Sequence, residues 1–215
     1  MNTTDLLTIA CSIVPDRVAI VFEKHRFSYR QFQERVNLLA NAMADIGVRS
    51  GDRVAIMHVN CNEVIETYFA ASKLDAIFTP LNFRSRADEM AQMIATAEPS
   101  ILIVGKRYLD VAEAALLNAP QPKQLIVLEG QSQGKWLSYD DLLAVASSEE
   151  QHSPKDEDQS VTLLMFTSGT SGVPKGVMLT HSSFTSYLLD HVNPADPELE
   201  ERNILSVPLY HIAGI

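Results

Sequence analysis

Two cysteines, Cys11 and Cys61, are all that the 215 residues contain. They form neither a CxxC pair nor a metal-ligand spacing, so a disulfide framework and a cysteine-based zinc site are excluded. Buried thiols in a reducing compartment are the expectation. Long apolar runs are also missing, and none reaches the roughly 20 residues that cross a bilayer. The N-terminus lacks the basic flank of a secretion signal, because Asp5 precedes Leu6 and Leu7. These absences point to the cytoplasm. Positive charge is scarce, with 17 Lys and Arg against 27 Asp and Glu and a net charge of −10. No basic cluster offsets it, which argues against nucleic acid as a partner. Internal repeats and low-complexity tracts are absent.

Hydrophobic residues make up 46% and charged residues 20% of the chain, the balance of an ordinary globular α/β protein. Apolar runs alternate with amphipathic stretches. Strands are expected over residues 18–22, 54–59, 76–80, 101–104 and 124–128, with a turn over 23–26. Helices are expected over 28–46, 63–74, 87–96, 109–117 and 138–146. Ser28 and Gln31 have capping-box spacing, Gly47 closes that helix, and Ser138 caps the last one. Strands that read as continuous apolar runs between helices predict a parallel-rich sheet flanked by helices on both faces. Residues 1–146 form one α/β subdomain in this reading. An acidic, solvated linker spans 147–159, and a second α/β subdomain begins at 160. The run Asp156-Glu157-Asp158 reads as part of that linker rather than as a metal site.

The second unit opens on the segment richest in chemistry. An apolar strand over 161–166 stops in Thr167-Ser168-Gly169-Thr170-Ser171-Gly172-Val173-Pro174-Lys175-Gly176, and a second strand follows over 177–179. Glycines let backbone N–H groups approach an anion closely, hydroxyls add donors, and Lys175 adds a mobile positive charge. An ordinary polar turn has a similar composition, but the flanking strands favour phosphate binding. The pattern is not a Walker A loop, since Pro174 precedes Lys175 and Gly176 follows it.

Residues 167–176 resemble the phosphate-loop signature of the adenylate-forming superfamily, which includes acyl-CoA synthetases and aryl-CoA ligases. Ser171 stands where Thr is frequent. A second family pattern, Pro-x-aromatic-His-x-x-Gly, is matched by Pro208-Leu209-Tyr210-His211-Ile212-Ala213-Gly214. Weaker likenesses run through Phe27–Phe32, Gly47–Ala55 and Lys73–Asn82, where Asp75 replaces a usual glycine. The resemblance covers residues 15–215. It implies the N-terminal portion of an acetyl-CoA synthetase-like fold.

The resemblance also implies an activity. A carboxylic acid reacts with ATP and Mg²⁺ to give an acyl-adenylate and pyrophosphate, and coenzyme A then takes the acyl group. Thr167, Ser168, Gly169, Thr170, Ser171, Gly172 and Lys175 would hold the ATP phosphates, with Thr170 foremost, and His211 would line the acid pocket. Family members that activate amino acids carry an acid in the second motif. Tyr210-His211-Ile212-Ala213 has none, so a fatty or aryl acid is expected. No catalytic residue or metal ligand is assigned within the segment, which is expected to lack full ligase activity alone. The alternative is a short non-catalytic relative that binds a nucleotide or a protein. Apart from His211, the histidines His25, His58, His152, His181 and His191 read as structural or exposed, with His181 opening a helix.

Overall fold

The computed structural model describes residues 1–155, 159–167, 174–193, 196–199 and 202–214. Nine strands and seven α-helices follow in chain order among them. Helix α1 (Thr3–Ile13) was not anticipated from the sequence. Its start is fixed by a reciprocal cap in which the Thr4 N–H donates to Asn2 Oδ1 and the Asn2 N–H to Asp5 Oδ2. Strands β1 (Val18–Phe22) and β2 (His25–Ser28) form a separate antiparallel hairpin. The predicted turn over 23–26 is therefore shorter, because β2 already begins at His25. Helix α2 (Tyr29–Asp45) starts as expected, with Ser28 Oγ accepting from the Gln31 N–H and Gln31 Oε1 from the Ser28 N–H. It ends before Gly47, whose φ of 101° suits glycine.

Then come β3 (Arg53–Met57), α3 (Asn62–Lys73), β4 (Ile77–Pro80), α4 (Ala87–Ala97), β5 (Ile101–Gly105), α5 (Leu109–Leu116), β6 (Gln124–Leu128), β7 (Trp136–Ser138) and α6 (Tyr139–Val145). The chain closes with β8 (Val161–Thr167), β9 (Lys175–Thr180) and α7 (His181–His191). Seven strands form one sheet in the order β7-β6-β5-β3-β4-β8-β9. All neighbours are parallel except β8 and β9.

Alternation along the central strands sorts the core into two layers. Val54, Ile56, Ile101, Ile103, Ile126 and Leu128 face one side, where Val36, Leu39 and Met43 of α2, Val64 and Tyr68 of α3, Leu7 of α1 and Tyr139 of α6 cover them. Ala55, Met57, Leu102, Val104, Leu125 and Val127 face the other, under Met90 and Ile94 of α4 and Ala112 and Leu116 of α5. Helices on both faces of a parallel-rich sheet match the expected fold class.

Glu66 lies inside the first layer with no exposure. Its carboxylate accepts from Arg35 Nε at 2.6 Å and Nη2 at 3.0 Å, from Asn62 Nδ2 at 2.8 Å and from the Tyr139 hydroxyl at 2.7 Å. One buried charge thus joins α2, α3 and α6 with its acceptor sites filled. The segment after α6 is strapped down over its first residues. Asn37 and Asn41 donate to the carbonyls of Ser147, Ser148 and Glu149, and Lys73 pairs with Glu150. Residues 156–158 lie outside the described residues. The strands before and after this segment share one sheet, through the pairing of Phe78 in β4 with Leu163 in β8.

Candidate active site

In this sheet β3 leads to β4 on one side, whereas β5 leads to β6 on the other. Connections that diverge from neighbouring parallel strands leave a crevice at the carboxyl ends, the usual ligand position in open α/β sheets. Both sequence motifs meet that edge. Strand β8 runs parallel to β4, so Thr167 at its end emerges on the same side as the loops after β3, β4 and β5. Its partner across the β8–β9 hairpin is Lys175. Thr167 donates from Oγ1 to the Lys175 carbonyl at 3.5 Å. Both side chains are exposed, open to an anion in solvent. Ser168, Gly169, Thr170, Ser171 and Gly172 lie outside the described residues.

The second motif reaches the same edge from the other end of the sequence. Leu209 is 6% exposed and packs into the first core layer. Tyr210 meets Phe83 edge-on, with ring centroids 5.4 Å apart. Phe83 follows β4 and lies 6.3 Å from Tyr108, which follows β5 and in turn stands edge-on to His58 at 6.1 Å. An aromatic row therefore runs along the carboxyl edge and ends at the second motif. His211 itself is exposed. Among the described residues no hydrogen bond or ion pair links it to Thr167 or Lys175.

Sequence reasoning missed His58, Asn60, Phe83 and Tyr108. Their signal was positional, since each lies within three residues of the end of an apolar parallel strand, where ligand-facing loops arise. An apolar cavity of about 230 Å³ opens beside the motif, lined by Tyr68, Phe78, Phe184, Leu209 and Gly214 among others. A larger cavity of about 820 Å³ lies towards β7, around Lys106, Glu129 and Trp136, and shares no lining residue with either motif. Neither cysteine offers a reactive thiolate, because burial pushes both thiols up, Cys61 most strongly.

The model of the AMP-binding enzyme family matches residues 8–215. Indoleacetate–CoA ligase of Aromatoleum aromaticum is 29% identical over the whole chain, which spans 42% of that protein. A feruloyl-CoA synthase of an Amycolatopsis species is 32% identical over 94% of the chain and 38% of its own length. Among solved structures, the inhibitor-bound N-terminal domain of FACL13 from Mycobacterium tuberculosis superposes with a TM-score of 0.84 at 27% identity, over 99% of this chain and 52% of that domain. The chain thus spans about two fifths of the length of these curated relatives. A parallel-rich sheet with Thr167, Lys175 and the second motif at its carboxyl edge, and a family match over all but the first seven residues, make this chain a member of the AMP-binding enzyme family.

Proposed function

We propose that the complete protein activates a fatty or aryl acid with ATP, releasing pyrophosphate, and passes the acyl group from the adenylate to coenzyme A. The observation that carries this reading is the convergence of the two motifs. Thr167 and Lys175 flank the loop at the end of β8, and the second motif is anchored beside β3 on the same edge of the sheet. In this proposal Thr167, the 168–172 segment and Lys175 hold the β- and γ-phosphates. They place the leaving pyrophosphate and stabilise its charge. Mg²⁺, when bound, would neutralise part of the phosphate charge that Lys175 also offsets. His211 stands at the acid pocket. The absence of an acidic side chain in Tyr210–Ala213 supports a substrate without an α-amine, and the names of the relatives, an indoleacetate ligase and a feruloyl-CoA synthase, support an aromatic acid.

Residues 147–159 are the proposed seam between the unit over 1–146 and a nucleotide-binding unit that starts at 160. A cytoplasmic location agrees with the lack, among the described residues, of any helix long and apolar enough to cross a membrane.

The test is carboxylate-dependent ATP–pyrophosphate exchange by the complete ligase across fatty acids, aryl acids and amino acids. Exchange with a fatty or aryl acid is expected, and a preference for an amino acid would refute the substrate class. The 215-residue segment alone is expected to show no full ligation. Robust thioester formation by it would overturn that expectation.

A further inference from the structure

The second motif fixes its own shape but not its own place. His211 donates its N–H to the Pro208 carbonyl at 2.9 Å and Gly214 to the His211 carbonyl at 2.8 Å, which gives two consecutive tight turns. Gly214 permits this winding, since a Cβ there would stand 2.5 Å from the Pro208 oxygen. The place of the motif is set from the other side of the sheet edge. Asn60 donates from Nδ2 to the Val207 carbonyl at 2.8 Å, and its Oδ1 accepts from the Leu209 N–H at 2.9 Å. Among the described residues, these are the hydrogen bonds that reach 207–214 from the rest of the chain.

The loop that bears Asn60 is itself held. His58 donates from Nδ1 to the Val59 carbonyl at 2.9 Å, and its side chain is 3% exposed. Its ring lies over Gly105, at the end of β5, where a Cβ would come within 2.1 Å of Cδ2. Asn60 therefore projects from a fixed corner at the crevice between β3 and β5. A carboxamide is the short side chain that offers a donor and an acceptor at once. Aspartate keeps only the acceptor, and alanine keeps neither.

We propose that Asn60 is a positioning residue for acid recognition. Its two-way clasp sets where Tyr210 and His211 stand against the carboxyl edge, and so tunes the affinity for the carboxylic acid rather than for ATP. This role rests on the reading of His211 as part of the acid pocket. Small displacements of positioning groups are enough to matter, because misplacement by about 1 Å can cost on the order of a hundredfold in rate.

Two measurements on Asn60→Ala test the proposal in the complete ligase. Amide hydrogen exchange at Leu209 is expected to accelerate about tenfold or more, the readout of a lost, partly buried hydrogen bond. The KM for the acid in pyrophosphate exchange is expected to rise about tenfold or more. The KM for ATP should stay within about twofold, as expected for a group that touches neither nucleotide nor phosphate. Asn60→Asp, which keeps the acceptor for Leu209, should fall between wild type and Asn60→Ala, and it carries the test if the alanine variant does not fold. Unchanged exchange at Leu209, an unchanged acid KM, or equal rises in both KM values would each overturn the role. A wild-type enzyme inert towards every acid, yet with Leu209 protected, would instead refute the proposed function and leave the clasp as architecture.

Discussion

Thr167 and Lys175 face one another across the open end of the β8–β9 hairpin, so the first residue of the 167–176 pattern and its lysine are held in register by strand pairing. The sheet thus fixes the width of the loop's mouth, whatever occupies it. Lys175 is exposed and packs into no core layer. If the complete protein has the proposed ATP-dependent activity, Lys175→Ala should lower the efficiency of ATP use by about tenfold or more, the scale of one lost charge stabiliser. Its Tm should barely move, since exposed substitutions usually change stability by less than about 0.5 kcal/mol. Unfolding without a change in ATP handling would contradict the role.

The Glu66 cluster predicts an asymmetry in stability. Removing Arg35 leaves a fully buried carboxylate with a missing counter-ion, which typically costs about 3–5 kcal/mol. Arg35→Met should therefore shift the denaturation midpoint strongly. Arg35→Met combined with Glu66→Gln should be less unstable than the two single changes added together, because the unpaired charge is gone. Urea titrations of the four proteins give the coupling directly, and strict additivity would count against the pair.

A second pair is steric. The ring of His58 occupies the space a side chain at Gly105 would need. Gly105→Ala should destabilise by about 1–3 kcal/mol, the usual range for overpacking a filled site. His58→Ala in that background should recover part of the loss. Thermal melts of both variants check this, and no recovery would place the fault elsewhere in β5.

His181 predicts a pH dependence. It is 1% exposed, and its Nδ1 accepts from the Thr3 N–H at 3.2 Å and lies 3.0 Å from the Thr3 hydroxyl. Nε2 lies 3.2 Å from Asn2 Nδ2. Burial lowers its pKa from 6.5 to about 4, against a partial opposing pull from Asp5. The unfolded chain therefore binds a proton that the folded chain refuses between these values. Stability from this group is full above about pH 6.5 and falls as pH drops towards 4, by at most about 3 kcal/mol. His181→Gln should flatten that limb of a stability–pH curve, and an unchanged slope would contradict the assignment.

The parts of the fold most legible in the sequence were those with strong local signals. The apolar runs at 101–104 and 124–128 became β5 and β6, and the Ser28–Gln31 box became a cap. Strand β2 was missed because His25-Arg26-Phe27-Ser28 is mostly polar, and pairing with β1 makes it a strand. Strand β7 is three residues long and is defined by its neighbour β6. Thr167 and Lys175, the proposed phosphate-binding pair, stood out because they belong to one short pattern. Asn60 was not, because its partners lie 147 and 149 residues away. Asp75 shows the same division. It stands where the family pattern resembled by Lys73–Asn82 has glycine, and it adopts a left-handed φ of 52°. Aspartate tolerates that region better than most residues, and its carboxylate accepts from the Lys155 N–H at 3.1 Å.

The contact of Asn2 and Thr3 with His181 joins residues 179 and 178 positions apart. On a ribosome, α1 thus emerges long before the side chain that seals it exists. Until β9 and α7 have been made, the amphipathic first helix has an incomplete berth, and the growing chain presents it to solvent and to chaperones. Contacts of such long range also slow folding, because the loop must close before the interaction stabilises anything. Helix α1 is made well before β9 and α7, yet its contacts with His181 can form only after them.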